Sequence, residues 1–319
     1  MDALLTPDFR DFSARLGQDP LRVQGPGGNT SIKADGVMWI KASGTELADA
    51  EIKPIFVAVN RDAAKAEAAG AGDGSCKATV LDSANTLRPS IETTFHAALD
   101  WPVVAHTHSI ATLTHAISPQ GRAVAEKKLA DQPAVFVPYA KPGLPLTREI
   151  LARAKPETRV VVLQNHGLIC CGDTVAETAD LMDKVEALLA LPEQPHEDAP
   201  EGPTRDGFER VSESWMAFDP RMSKLVLSGS YYPDHVVFLG AALPDTDHDG
   251  KPPALLIPGE GVYLRDGATS SQRAMVRCLA DCLGRLPEDW SAEAIGRDAE
   301  AELLNWDAEK YRQALAART

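Results

Sequence analysis

No stretch of this chain approaches the roughly 20 consecutive apolar residues that a membrane-spanning helix needs. The opening Met1-Asp-Ala-Leu-Leu-Thr-Pro-Asp8 lacks the basic start and long apolar run of a secretory signal. Cysteine is scarce: five residues, an odd count without framework spacing, namely Cys76, adjacent Cys170 and Cys171, and Cys278 with Cys282 one helical turn apart. A disulfide-stapled design is therefore excluded, and free thiols in a cytoplasmic protein are expected. Zinc held through Cys170 and Cys171 is discounted, because adjacent strand residues face opposite ways. Positive charge is short as well. With 32 Lys and Arg against 46 Asp and Glu, a net −14, the chain lacks the basic surplus that general binding to nucleic acid requires. A small anionic substrate stays compatible, since a few local donors suffice. Internal repeats are missing, and so are both nucleotide fingerprints: Gly25, Gly27 and Gly28 do not fit Gly-x-Gly-x-x-Gly, and Lys33 does not follow the P-loop spacing.

What is present suits a globular protein. At 319 residues and 44% hydrophobic, the chain can bury a full core in one large domain or two smaller ones. Residues 6–17 read as a helix, with Pro7 in its first turn and Phe9, Phe12 and Leu16 at helical spacing. A glycine-rich turn, Gln24-Gly-Pro-Gly-Gly-Asn-Thr-Ser31, leads to a strand at Val37–Ile40, and Phe56–Val59 is another. Pro89–Leu99 reads as a helix with Ser90 near its start and Glu92 in its first turn. Helices are also expected at 111–117, 124–130, 147–154 and 174–191, and strands at 135–138 and 160–163. Pro192–Thr204, dense in Pro, Glu and Asp, reads as a linker. Beyond it, Val236–Leu239, Ala254–Ile257 and Gly261–Leu264 read as strands, 270–286 as a helix and 292–317 as mostly helical.

The chemistry concentrates in Val103-Val-Ala-His-Thr-His108. Residues i and i+2 of a strand share a face, so His106 and His108 project the same way, as two ligands of one metal must. A third histidine ends a second apolar run, Arg159-Val-Val-Val-Leu-Gln-Asn-His166. Two such strands side by side would bring all three together, and three neutral imidazoles with an open position suit a catalytic zinc better than a structural one. A single strand-end histidine reads more simply as a hydrogen-bonded residue; the combination with a nearby carboxylate favours metal.

That carboxylate is Glu92, fourteen residues before His106. It could serve as a general base beside the cation, although an acidic residue in a helix's first turn also compensates the dipole. His96 reads as packed or hydrogen-bonded. Gly27-Gly-Asn-Thr-Ser31, Ser43-Gly44 and Ser90 supply small residues and short donors that can cradle an anion, though turns use the same residues.

In this order, Gly28-Asn29-x-Ser31, Ala42-Ser-Gly44, Ser90-x-Glu92-x-x-x-His96, His106-x-His108 and Asn165-His-Gly167 resemble the class II aldolase/adducin family over about residues 5–195. The strings Gly-Gly-Asn-Thr-Ser and Arg88-Pro-Ser-Ile-Glu-Thr93 are most similar to the aldolase half of bifunctional rhamnulose-1-phosphate aldolase/alcohol dehydrogenases, as are Tyr232–Val237 and Trp306–Arg312. No dehydrogenase fingerprint follows them here. The resemblance implies an α/β, three-layer fold, a mainly antiparallel sheet flanked by helices, with a small α/β extension. The expected division is a catalytic domain at 1–195, a linker at 196–204 and an extension at 205–319. By resemblance, His106, His108 and His166 hold Zn2+ or another divalent ion, and Glu92 is the catalytic acid/base. Gly28, Asn29, Ser43, Gly44 and Ser90 bind the substrate's phosphate. The implied activity is retro-aldol cleavage of a ketose phosphate or related hydroxy-ketone through an enediolate, in a homo-oligomer such as a tetramer. An epimerase or decarboxylase on the same scaffold is the alternative enzyme, and an adducin-like interaction module the non-catalytic one. Two departures stand out: Pro89-Ser90-Ile91 replaces the usual Ser-Ser pair before the Glu, and the tyrosine proton donor of the aldolases has no assignable counterpart. Tyr139 and His115 are the nearest candidates. No catalytic motif is legible in 205–319, and Asp234 and His235 read as structural.

Overall fold

The computed structural model describes residues 2–317; residues 1, 318 and 319, at the extremes of the two expected domains, lie outside. A seven-stranded sheet is built from β1 (Asn29–Ala34), β2 (Val37–Lys41), β3 (Phe56–Asn60), β4 (Val103–Thr107), β5 (Ala134–Val137), β6 (Val160–Leu163) and β7 (Gly167–Gly172). Its order is β3-β2-β1-β4-β7-β6-β5. Every neighbouring pair is antiparallel except β5 with β6. The central strands are β-branched and buried on both faces, so they read as unbroken apolar runs. Their side chains nevertheless sort by parity. Val103, Ala105, Val160, Val162, Leu168 and Cys170 enter one core, while Val104, Val161, Leu163, Ile169 and Cys171 enter the other. The adjacent cysteines thus face opposite ways.

Helices cover both faces. On the first lie α1 (Pro7–Gln18) and, beyond β7, the long α7 (Val175–Leu189). Thr6 and Thr174 cap them by accepting from Phe9 N and Glu177 N. Phe9, Phe12 and Leu16 of α1 and Met182, Val185 and Leu189 of α7 fill that core. On the second face, α3 (Thr93–Ala98) and α6 (Leu144–Leu151) bring Phe95, Leu146 and Ile150 against the sheet. Next to them, α2 (Arg61–Ala66) covers β2 and β3 through Ala64. Between β4 and β5 run α4 (Ile110–Ala116) and α5 (Pro119–Lys128).

Residues 190–204 carry neither helix nor strand. After them β8 (Phe208–Arg210), α8 (Pro220–Ser228), α9 (Pro233–Leu239), β9 (Ala254–Ile257), β10 (Gly261–Arg265), α10 (Ser270–Leu283), α11 (Arg297–Leu304) and α12 (Asp307–Ala316) complete the chain. The second sheet has the order β8-β10-β9 and is antiparallel. Its core includes Ile110, Leu113 and Ile117 alongside Tyr232, Met275 and Leu279. The α4 segment is therefore a wall shared by both sheets.

Four readings change. Val236–Leu239 is helix, not strand: Pro233 starts α9 at its first turn, and burial on every side removes the polar face that would show helical periodicity. The helix expected from Pro89 starts only at Thr93. Pro89 bridges Ala42, and Ser90 N donates to Lys41 O at 3.2 Å, which keeps that stretch extended. Part of the glycine-rich turn is strand β1, which begins at Asn29. Lastly, the strand leading to His166 does not lie beside the His106 strand; β7 lies between them.

Candidate metal centre and its surroundings

His106 shares its side of β4 with Val104 and packs edge-on against Phe95 of α3 at 6.0 Å. A carbonyl can only accept, so His106 Nδ1 donates to Leu168 O at 3.0 Å. Its Nε2 is buried without a partner. His108 lies just past the strand end. His166 sits in the turn that folds β6 back onto β7, beside Asn165 at φ 54°. Gly167 makes that approach possible: a Cβ there would fall 2.2 Å from Thr107 O. The three rings stand 4.9–5.3 Å apart between centroids.

Burial holds His108 and His166 neutral, each pushed down to about 3. Neutral imidazole is the form that binds a metal. Among the described residues, ligand atoms of His106, His108 and His166 all lie within 4.8 Å of one another, a group that could hold a metal ion. The unpartnered His106 Nε2, His166 Nδ1 and Glu92 Oε1 fit such a group, since buried polar atoms are otherwise satisfied.

Glu92, the residue before α3, reaches the same space. Its Oε2 stands 3.5 Å from His106 Nε2 and its Oε1 3.5 Å from His166 Nε2. Burial raises its carboxyl, but the facing His106 and the hydrogen bond from the Asn29 amide outweigh that and hold it below the usual range. A chain of hydrogen bonds aims it. Ser31 Oγ lies 2.7 Å from His96 Nδ1, His96 Nε2 donates to Asn29 Oδ1, and Asn29 Nδ2 donates to Glu92 Oε2 at 2.8 Å. His96 is thus hydrogen-bonded, and Asn29 serves the carboxylate first.

The glycine-rich loop presses against the histidines. Gly28 adopts φ 58°, and a Cβ there would stand 2.8 Å from His106 O. At Gly27 it would stand 2.8 Å from His108 Nδ1. Lys41 holds the loop by donating to Pro26 O at 2.7 Å and Gly28 O at 2.9 Å, and burial lowers its ammonium to about 7. Ser90 Oγ accepts from Asn29 Nδ2 and Glu92 N, both at 3.2 Å. Gly28, Asn29, Ser43, Gly44 and Ser90 all line one cavity with Glu92, His108 and His166. That cavity is about 30 Å³, room for one or two waters and far short of a sugar phosphate. Leu315 of α12 lies over Gly44, where a Cβ would fall 2.4 Å from its Cδ1. A wider pocket of about 390 Å³ adjoins across Ser43, Ile91 and Pro142, with Trp306 and Tyr311 in its wall.

Lys41 and two further charged residues that sequence reasoning left without a site role, Asp234 and Arg312, also face the cavity. Arg312 clasps Asp234 through two hydrogen bonds, 2.8 and 3.0 Å, and reaches Glu309 at 2.9 Å. The similarity of Trp306–Arg312 to one family branch was the available signal for Arg312. Tyr139 and His115 do not line the cavity; His115 donates from Nδ1 to Ala111 O at 2.8 Å and packs on Trp290.

The family described as the class II aldolase and adducin N-terminal domain matches residues 13–191, more than half of the chain. The chain belongs to this family. Among solved structures, this family member is similar to the N-terminal class II aldolase domain of a conserved protein from Thermoplasma acidophilum. Identity is 28% and the TM-score 0.51, over 57% of this chain and 90% of that one. L-fuculose-1-phosphate aldolase from Thermus thermophilus is 17% identical at a TM-score of 0.40, over 59% and 93%. Among curated proteins, the uncharacterized oxidoreductase YuxG of Bacillus subtilis (strain 168) is 31% identical over 181 residues, 50% of this chain and 25% of YuxG. The chain thus spans about a quarter of that relative's length. Among the described residues, no helix is long and apolar enough to cross a membrane.

Proposed function

We propose that this chain is a divalent-metal-dependent carbon–carbon lyase that cleaves a ketose phosphate or related hydroxy-ketone by retro-aldol chemistry. The observation that carries the reading is the convergence of His106, His108 and His166 with Glu92, three of whose buried polar atoms make no hydrogen bond in the fold. Zinc or another divalent ion held by those histidines would supply a Lewis acid for a substrate carbonyl and hydroxyl.

The chain's own residues do the rest. Glu92, ionised and aimed by Asn29, takes the hydroxyl proton as the carbon–carbon bond breaks and returns a proton to the electron-rich carbon left behind. Gly28, Ser43, Gly44 and Ser90 receive the polar end of the substrate. Because the cavity is small, substrate enters from the adjoining pocket, and α12 gives way where Leu315 covers Gly44. Residues 1–195 act as the catalytic domain, with 205–319 as its cover, in a cytoplasmic homo-oligomer.

The test is metal content by elemental analysis, followed by cleavage assays on ketose phosphates and free hydroxy-ketones. About one ion per chain, lost in His106→Ala, with an aldehyde and a three-carbon ketone as products, supports the reading. An epimer or carbon dioxide as product moves the assignment to the other enzymes of the scaffold. A wild-type chain that takes up no divalent ion overturns it in favour of an interaction module.

A further inference from the structure

The chain matched by the family ends at residue 191, yet the cavity is closed by residues far beyond it. Asp234, in the first turn of α9, places Oδ2 3.5 Å from His108 Nδ1. Unlike His106, whose Nδ1 is satisfied by the sheet, His108 makes no hydrogen bond to backbone among the described residues. The glycine loop leaves that nitrogen open to Asp234, because any side chain at Gly27 would strike it. Asp234 is itself immobilised. It is 2% exposed, and Arg312 grips both its oxygens while Glu309, 1% exposed, braces the guanidinium. Burying a carboxylate and a guanidinium is costly unless they pair, and here Asp234 meets both the guanidinium and an imidazole. A second tie runs to the other histidine turn: Asn165 Nδ2 donates to Tyr231 O at 3.0 Å and Glu293 O at 2.7 Å.

We infer that Asp234, clamped by Arg312, is a positioning residue that fixes the ring of His108 for the metal, making the C-terminal segment part of the metal centre in the same chain. A carboxylate on one imidazole nitrogen sets the tautomer and leaves the other nitrogen as the ligand. For His108 the nitrogen left free is Nε2. The inference rests on the metal-centre reading above.

The experiment uses the full chain, wild type and Asp234→Asn, with zinc affinity measured by competition against a chromophoric chelator. The visible spectrum of the cobalt(II)-loaded protein and the far-ultraviolet circular dichroism are recorded alongside. The expected result is an unchanged fold, about 10- to 100-fold weaker zinc binding and a shifted cobalt spectrum. If Asp234→Asn alters only thermal stability, with affinity and spectrum unchanged, Asp234 merely pairs with Arg312 and the inference fails while the three-histidine centre stands. If the wild type takes up no zinc, both fail. Should Asp234→Asn not fold, Arg312→Lys keeps the charge but loses the two-point grip; it is expected to weaken zinc binding, and wild-type affinity in that variant overturns the inference.

Discussion

At His106 the sheet satisfies Nδ1 and leaves Nε2 without a hydrogen bond, so truncation removes the proposed ligand atom and leaves the ladder intact. His106→Ala is expected to stay folded and lose its metal, as elemental analysis of the purified variant will show. Glu92 stands 3.5 Å from the same nitrogen and is the proposed carrier of the proton. Glu92→Gln should keep most of the metal and lose about 10²- to 10⁴-fold in turnover; full activity would remove it from the acid/base role. Away from the site, Glu186 on α7 has an orphaned Oε1, and burial lifts its carboxyl to about 7. The folded state then holds a proton that the unfolded chain releases near 4.5. Stability is full below that value and falls as pH rises through about 7. Glu186→Gln should therefore melt like wild type near pH 4.5 and a few degrees higher at pH 8. Equal melting temperatures at pH 8 would refute this.

Among the elements, the junction of the glycine loop with β4 leaves no room for a side chain. Gly28→Ala adds a Cβ at positive φ only 2.8 Å from His106 O. The expected cost is about 1–3 kcal/mol, measured by urea unfolding, with metal affinity falling as His106 shifts. Legibility in the sequence divides along similar lines. The histidine strand was readable from its apolar run and alternating histidines, α1 and α7 because period and capping coincide there, and the sheet flanked by helices through the family resemblance. The segment Val236–Leu239 was not, since a helix buried all round looks like a strand in one dimension. The tight turn into β7 was hidden as well: the left-handed Asn165 and the bare Cα of Gly167 fold Gly-Leu-Ile-Cys-Cys-Gly back between β6 and β4.

For the whole molecule, what sequence could not show is how the second half meets the first. Asp234 and Arg312 are 78 residues apart, in two strings whose family likeness carries no hint that they meet. Their role depends on α9 and α12 folding over a cavity made by strands long before them. Motif spacing reports short-range chemistry well and such long-range closure poorly. The cover also sets access. With about 30 Å³ free, a substrate larger than a couple of waters requires the lining to move, and α12 is the proposed mover. Leu315→Ala should therefore lower KM for a phosphorylated substrate while leaving metal content unchanged; an unchanged KM would place the entrance elsewhere.

The amide of Asn165 joins the His166 turn to the carbonyls of Tyr231 and Glu293. Those two bonds are expected to couple local unfolding of the segment leading into α9 to loosening of the His166 turn. An ion that holds His166 would then slow backbone hydrogen exchange around Tyr231 by the same factor by which it stabilises the turn, so isotope uptake some distance from the histidines would report occupancy of the centre.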